Sequence, residues 1–121
     1  MALTVMTVDD SKTMRDMVSY TLKEAGYQVI EAEDGQKALD TLGAQRADVV
    51  ITDLNMPVMD GLTLIKELRS RPEYRATPIL MLTTEADDSK KNAGREAGAT
   101  GWIVKPFNPE KLISVVKRVA G

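Results

Sequence analysis

The sequence predicts an α/β fold in which helices cover both faces of a parallel sheet. Short apolar runs alternate five times with longer segments of helical period. The runs are rich in Val, Ile and Leu and nearly continuous, which is typical of strands buried on both faces. This alternation favours parallel strands joined by right-handed crossovers. With 121 residues the chain can build one core but not two, so we expect a single domain over residues 1–121.

The first half of the chain supplies two strands and two helices. The first strand is predicted at residues 3–8 and the second at 28–32. Between them, apolar residues at i, i+3, i+4 spacing predict an amphipathic helix that ends at Gly26. The members of this stripe are Met14, Met17, Val18, Thr21, Leu22 and Ala25. After the second strand, a shorter stripe predicts a helix that ends at Gly43; its members are Ala38, Leu39 and Leu42.

The second half supplies strands at residues 49–52, 79–82 and 101–104, with three further helices. The third helix is predicted from Leu64, Ile65 and Leu68, and the last from Leu112, Val115, Val116 and Val119. The fourth helix, at about residues 87–97, has mostly alanines at its core positions and contains Gly94. A helix with so little apolar anchorage can shift at low cost. A short helix that simply packs poorly explains the same pattern equally well.

Composition excludes several classes of function. A net charge of −2 gives no electrostatic basis for nucleic-acid binding. No apolar run approaches the roughly 20 residues that span a bilayer, and the first residues lack the features of a signal peptide, so we expect a cytoplasmic protein. Without cysteine or histidine, any metal must be held by oxygen atoms, which favours a hard cation such as Mg²⁺, with Mn²⁺ able to take its place.

Polar side chains follow four of the five predicted strands, at the edge where open α/β sheets collect functional groups. They are Asp9 and Asp10 after the first strand, Asp53 after the third, Thr83 and Thr84 after the fourth, and Lys105, which precedes Pro106, after the fifth. Carboxylates crowded together repel each other, and a divalent cation removes that cost. Phosphoryl transfer needs a nucleophilic oxygen, a metal and donors to the phosphoryl oxygens. Asp53 can be the nucleophile, the Asp9–Asp10 pair can hold metal, and Thr83 and Lys105 can contact the phosphoryl group.

Each of these residues has an ordinary structural explanation when taken singly. An Asp after a strand is commonly a helix N-cap, a Thr there is usually a turn residue, and a lone Lys is usually a solvated charge. Their joint placement at different strand ends makes the functional explanation stronger.

These residues resemble the response-regulator receiver family of two-component signalling, and within it the single-domain chemotaxis regulators of the CheY type. The shared pattern is an acidic pair, a phosphoacceptor Asp, a Thr or Ser, and Lys-Pro, here Asp9-Asp10, Asp53, Thr83 and Lys105-Pro106. The resemblance runs from Val5 to Val119 and includes the loop at residues 55–61 after the phosphoacceptor. It implies a doubly wound, flavodoxin-like (βα)5 three-layer sandwich whose five strands are ordered 2-1-3-4-5.

The resemblance also implies a role for each residue. Asp10, Asp53 and the backbone carbonyl of Asn55 would be Mg²⁺ ligands, with Asp9 acting through a water molecule. Thr83 would be the switch hydroxyl, and Lys105 would pair with the phosphoryl group and precede a cis peptide bond to Pro106. Asn55 and Glu85 would tune dephosphorylation.

Trp102 departs from the family pattern, which usually has Tyr or Phe as the rotating aromatic of the switch. Indole is bulkier than phenol and has no hydroxyl at the corresponding position. A static, partly buried Trp102 therefore stays open as an alternative.

The implied partners are a CheA-like histidine kinase as phosphoryl donor and a FliM-like flagellar motor switch protein as target. No DNA-binding domain follows Gly121 in this sequence, so we expect the protein to signal through protein contact. We also expect a monomer. A phosphate sink or an adaptor in another pathway is the nearest alternative.

Three further classes are weaker. An Asp-nucleophile phosphatase needs an acid two residues after the nucleophile, and Asn55 cannot serve, so we expect no enzyme beyond slow self-dephosphorylation. A flavin or nucleotide module needs a neutral or Gly-rich first loop, where this chain has Asp9-Asp10. A degenerate receiver acting only by interaction would lack some of the phosphorylation set.

Overall fold

Five strands alternate with five helices in the computed structural model, which describes residues 3–84 and 88–120. The strands are β1 (Thr4–Val8), β2 (Gln28–Ala32), β3 (Val49–Thr52), β4 (Ile79–Thr83) and β5 (Gly101–Val104). The helices are α1 (Lys12–Glu24), α2 (Gly35–Leu42), α3 (Gly61–Arg69), α4 (Asp88–Ala97) and α5 (Pro109–Ala120). A 3₁₀ turn at Pro72–Tyr74, which was not predicted from the sequence, joins α3 to β4.

All strand pairs are parallel and the sheet order is β2-β1-β3-β4-β5. One core cluster contains buried residues of α2, α3 and α4, and a second contains buried residues of α1 and α5. The two clusters place helices on both faces of the sheet, so the molecule has three layers. The predicted doubly wound fold and its strand order are therefore confirmed.

Burial differs between central and edge strands. Every residue of β3 and β4 is buried, and so is all of β1 except its first residue. In contrast, β2 and β5 each bury only one residue, so the prediction of strands buried on both faces was wrong for them. Both lie at the edges of the sheet, where one side of the strand has no neighbouring strand.

Helix α1 confirms the predicted stop but not the whole predicted stripe. It ends at Glu24, and Gly26 follows with φ +95, a left-handed conformation that glycine adopts without steric cost. Val18 and Leu22 are buried as predicted. Met17 is 50% exposed and Ala25 is also exposed, so both were wrongly assigned to the core.

Helix α4 is held mainly at its C-terminal end. Its buried residues are Gly94 and Ala97, and a Cβ at Gly94 would lie 2.6 Å from Met81. Arg69 of α3 donates from Nε to the carbonyl of Gly98 at 2.9 Å, just beyond the end of α4. The N-terminal half of α4 buries no side chain in the described chain, in agreement with the weak anchorage predicted from its alanines.

Arg69 also joins α3 to the segment that leads into β4. Its Nη1 donates to the carbonyls of Tyr74 and Thr77, each at 2.7 Å. Burial lowers the pKa of this guanidinium, which stays charged at any physiological pH. Within the described ranges, no helix is both long enough and apolar enough to cross a bilayer.

Candidate functional site

Parallel pairing brings four strand ends to one edge of the sheet. Val8 pairs with Thr52, Thr52 with Met81, and Thr83 with Val104. The residues that follow these positions therefore meet at that edge. They are Asp9 and Asp10 after β1, Asp53 after β3, Thr84 after β4 and Lys105 after β5.

Three carboxylates form an acidic cluster at this edge. Asp9, Asp10 and Asp53 each offer an oxygen, and these oxygens all lie within 4.8 Å of one another. Asp9 is 2% exposed, whereas Asp10 is exposed and Asp53 half-buried. An all-oxygen donor set of this size, open to solvent on one side, fits a hard divalent cation that keeps several of its waters.

Lys105 lies between two of these carboxylates. Its Nζ is 2.8 Å from Oδ2 of Asp9 and 3.4 Å from Oδ2 of Asp53. The shorter contact is with Asp9, whereas the predicted role of Lys105 is to contact the phosphoryl group on Asp53. A single ammonium thus offsets part of the repulsion among the carboxylates.

The pKa of Asp53 is raised above its ordinary value, chiefly because burial disfavours the charged form. The neighbouring charge of Asp9 raises it further. Lys105 and the backbone N–H of Leu54, which donates to Oδ1 of Asp53 at 2.8 Å, act in the opposite direction. The net shift means that a cation at the cluster would stabilise the ionised, nucleophilic form.

The turn from β1 to α1 fixes Asp9 through several contacts. The N–H of Ser11 donates to Oδ1 of Asp9 at 2.9 Å, and the hydroxyl of Ser11 caps α1 by accepting from the N–H of Met14. Arg15 donates from Nη1 to the carbonyl of Asp9 at 2.7 Å. Arg15 was not predicted as a site residue, because an arginine on an amphipathic helix is usually a solvated charge.

The loop from β3 to α3 is shaped by close backbone approach. A Cβ at Gly61 would lie only 2.2 Å from the carbonyl oxygen of Asp53, so only glycine fits there. Asp60 caps α3 by accepting from the N–H of Thr63 at 2.8 Å. Asn55 is exposed at the start of this loop, two residues after Asp53.

Val58, at the tip of the same loop, has a strained backbone. Its φ is +68, and the N–H of Met59 donates across it to the carbonyl of Pro57 at 2.7 Å. This left-handed conformation is unfavourable for a β-branched residue. The Met59 carbonyl also accepts from the N–H of Gly35 at 3.3 Å, which ties the loop to the start of α2.

The ends of β4 and β5 carry the remaining predicted residues. Thr83 is buried and Thr84 is exposed. The N–H of Lys105 donates to the carbonyl of Thr83 at 2.9 Å, and the Lys105–Pro106 peptide bond is cis, as the resemblance implied. Glu85 lies outside the described residues.

Trp102 lies apart from the acidic cluster, in the middle of β5. It is partly buried against the core beneath α2, α3 and α4. Nζ of Lys91 and Cζ of Arg95, both on α4, lie 5.0 and 5.7 Å from the centre of its ring. Two cation–π contacts therefore join the indole to the weakly anchored helix.

A groove of about 460 Å³ lies beside Trp102 between β5 and α5. Three cationic side chains line it, Arg95, Lys111 and Arg118. No carboxylate is among its lining residues in the described chain, so the groove is basic and has an aromatic wall.

Comparison with known proteins identifies what this arrangement resembles. The family model for the response regulator receiver domain matches residues 5–117. Chemotaxis protein CheY1 of Helicobacter pylori is 42% identical over 119 residues, which cover 97% of this chain and 96% of that protein. A chemotaxis protein CheY homolog of Campylobacter jejuni is 41% identical, with 97% and 92% covered.

Solved structures give the same result. Chemotaxis response regulator CheY4 of Vibrio cholerae is 51% identical with a TM-score of 0.94, over 98% of this chain and 99% of that one. The receiver domain of sensor histidine kinase PA1611 from Pseudomonas aeruginosa is 27% identical with a TM-score of 0.92, over 100% and 99% of the two chains. That structure contains a magnesium ion coordinated in its active site cleft.

Proposed function

The chain belongs to the response regulator receiver domain family, and on this premise we propose that phosphorylation of Asp53 switches it in chemotaxis signalling. The proposal depends above all on the acidic cluster, in which Asp53 lies beside Asp9 and Asp10 and 3.4 Å from the Lys105 ammonium. This arrangement combines a carboxylate nucleophile, a set of oxygen donors for a divalent cation and a positive side chain. The similarity to chemotaxis regulators favours chemotaxis as the pathway.

The proposed reaction transfers a phosphoryl group from a phosphohistidine. An Asp53 carboxylate oxygen attacks phosphorus, the P–N bond to the donor histidine breaks, and the released imidazole takes up a proton from solvent. A Mg²⁺ ion held by Asp10, Asp53 and the Asn55 carbonyl, with Asp9 through water, would neutralise charge that develops on the phosphoryl oxygens. Lys105 contributes a second positive group from the protein itself.

The phosphorylated form persists long enough to signal because the chain lacks the acid that an Asp-nucleophile phosphatase uses. Asn55 stands two residues after Asp53, and its amide cannot deliver a proton at neutral pH. The phosphoryl group then leaves Asp53 only by slow self-dephosphorylation, whose rate Asn55 and Glu85 tune. On this proposal the protein is a phosphoacceptor and not an enzyme with its own substrate.

Phosphorylation reaches a partner surface through β4, β5 and α4. Thr83 and Lys105 gather around the added charge, and the movement of β4 and β5 changes how α4 and Trp102 lie against each other. The basic groove beside Trp102 provides a docking surface for an acidic segment of the target. We assign the donor to a CheA-like kinase and the target to a FliM-like motor switch protein. On this proposal the protein acts as a monomer in the cytoplasm.

Intact-mass spectrometry tests the chemistry directly. The protein is incubated with acetyl phosphate or phosphoramidate, with Mg²⁺ or with EDTA, and compared with Asp53→Asn and Asp60→Asn. The second variant is a matched control in the same loop, because Asn still caps α3. We expect one phosphoryl group on wild type and Asp60→Asn, only with Mg²⁺, and none on Asp53→Asn. If wild type does not gain the mass of a phosphoryl group, even with a competent phosphohistidine kinase, the proposal is wrong.

The pathway is tested in the source organism. Deletion of the gene should abolish reversals or tumbles of swimming cells, and complementation with Asp53→Asn should not restore them. A phosphate sink would instead leave the motor responsive and prolong the response to a stimulus. Normal motility after deletion would contradict the motor assignment.

A further inference from the structure

Arg15 lies beside the acidic cluster without being one of its ligands. It is at the end of the first turn of α1, and its side chain is only 15% exposed. Nη1 donates to the Asp9 carbonyl at 2.7 Å, and Nε lies 3.5 Å from Oε1 of Glu31 on β2. The guanidinium therefore bridges the end of β1 and the neighbouring strand β2 through two of its nitrogen atoms.

The carbonyl that Arg15 holds belongs to the peptide group between Asp9 and Asp10. The orientation of that peptide plane helps to set the direction in which the side chain of Asp10 points. Other contacts fix the remaining groups of Asp9: its N–H donates to the carbonyl of Ala32 at 3.1 Å, and its carboxylate accepts from Ser11 and Lys105. Arg15 completes this set by holding the carbonyl.

The charge of Arg15 and its hydrogen bond to the Asp9 carbonyl should affect cation binding in opposite directions. A guanidinium close to three carboxylates repels an incoming cation, so its removal should tighten binding if only electrostatics mattered. If its hydrogen bond orients the Asp9–Asp10 peptide, removal should weaken binding, because the donor atoms are then no longer held in place before the cation arrives. The sign of the effect distinguishes the two explanations.

We propose that Arg15 is a positioning residue that orients the Asp9–Asp10 peptide and so raises the affinity of the acidic cluster for a divalent cation. This inference rests on the proposed function of the site. It extends that function to a residue that contacts neither the cation nor the phosphoryl group.

The test compares Mg²⁺ affinity in wild type, Arg15→Gln, Arg15→Lys and Lys12→Gln, measured by titration of backbone amide NMR shifts. Lys12→Gln is the matched control: it removes one positive charge from the first turn of the same helix, where Lys12 pairs with Asp16 and is largely exposed. We expect Arg15→Gln to bind Mg²⁺ about tenfold more weakly, the usual scale for loss of a residue that orients a ligand. Lys12→Gln should bind as wild type does or slightly more tightly.

Arg15→Lys keeps the charge but cannot reproduce the fork, so its affinity should lie between those of wild type and Arg15→Gln. Thermal unfolding in EDTA establishes which variants are folded. If Arg15→Gln does not fold, the Mg²⁺ affinity of Arg15→Lys alone tests the inference. Unchanged or tighter Mg²⁺ binding in the folded Arg15 variants would overturn the inference. Wild type that binds Mg²⁺ but never gains a phosphoryl group would overturn the proposed function instead, and would leave the result for Arg15 standing.

Discussion

At the scale of single residues, Lys105 is the positive group on which the acidic cluster depends. Its partner Asp9 is almost completely buried, and both side chains of the pair are largely removed from water. Removal of one member of such a pair leaves an unpaired buried charge, which is far more costly than loss of a surface ion pair. The electrostatic state of the cluster should therefore respond strongly to changes at Lys105.

Lys105→Met should lower the free energy of unfolding by about 3 kcal/mol in EDTA, as for other broken buried pairs. Lys37→Met is the control, because Lys37 pairs with Glu33 at the surface and such pairs contribute at most about 1 kcal/mol. Urea denaturation measures both. Equal, small losses of unfolding free energy in the two variants would show that the buried Asp9 is not stabilised by its pairing with Lys105. Added Mg²⁺ should recover part of the stability of Lys105→Met.

The raised pKa of Asp53 predicts how the stability of metal-free protein depends on pH. A carboxyl whose pKa is higher in the folded state stabilises the fold when it is protonated, and that contribution is lost as pH rises through the folded pKa. Asp53→Asn cannot titrate at this position. The free energy of unfolding of wild type in EDTA, relative to that of Asp53→Asn, should therefore fall as pH rises above about 4, the ordinary pKa of an Asp carboxyl.

Denaturant midpoints of both proteins across this pH range provide the measurement. The carboxylates far from the acidic cluster are present in both proteins, so their contributions cancel in this comparison. A difference that stays constant with pH would contradict the raised pKa. Saturating Mg²⁺ should raise the free energy of unfolding of wild type at pH 7, because the cation binds the ionised carboxylate.

At the scale of elements, Gly61 sets how closely α3 approaches the end of β3. The N–H of Gly61 donates to the carbonyl of Leu54 at 2.9 Å, which holds the helix start against the backbone that carries Asp53. Any side chain at this position must push the two segments apart. The chemistry of Asp53 and the packing of α3 are therefore coupled through one glycine.

Gly61→Ala should cost about 1–3 kcal/mol of stability, the usual cost of overpacking, and should also slow phosphorylation by acetyl phosphate. Gly43→Ala is the control: Gly43 lies at the end of α2 with φ −71, where alanine is allowed. Thermal unfolding and intact-mass kinetics measure the two effects. Gly61→Ala with wild-type kinetics would show that Asp53 tolerates the displaced helix.

The elements also show what sequence alone could predict. The bounds of β2, β3 and β5 agree with the predicted ranges, because Val- and Ile-rich runs are distinctive in this chain. The edge positions of β2 and β5 could not be read from the residues, since edge and centre depend on strand order. Met17 was misassigned because the predicted stripe on α1 was wider than the face that packs on the sheet.

The acidic cluster was predictable because parallel strands bring their carboxyl ends together. Arg15 was not, for a physical reason: its partner at Asp9 is a backbone carbonyl, which every residue possesses and which therefore leaves no trace in the sequence. Arg69 was missed for the same reason, since it donates to the backbone carbonyls of Tyr74, Thr77 and Gly98.

At the scale of the whole molecule, stability is distributed unevenly around the sheet. The central strands β1, β3 and β4 are enclosed by both cores, while α4 buries little beyond Gly94 and Ala97. Regions with few buried apolar contacts open more often than the core. The part of the fold that faces the proposed partner is therefore also among its least stable parts.

Hydrogen exchange should show this gradient. Amides of β1, β3 and β4 should exchange slowest, and those of the N-terminal half of α4 should exchange faster than those of α5, which buries Leu112 and Val116. Exchange followed by mass spectrometry at neutral pH in Mg²⁺ provides the measurement. Equal protection of α4 and α5 would contradict weak anchorage. Addition of acetyl phosphate should change protection in α4 more than in α1.

The pairing of Lys105 with Asp9 has a consequence for how the acidic cluster would bind and release a cation. When a cation departs, the buried carboxylate still has an ammonium at 2.8 Å, so the vacated site is not left with an uncompensated buried charge. A cation must in turn compete with this internal counterion, which lowers its affinity for the acidic cluster. On the proposed function, the acidic cluster would therefore gain and lose a cation without a large cost in stability, and the readiness of the switch would follow the free Mg²⁺ concentration around it.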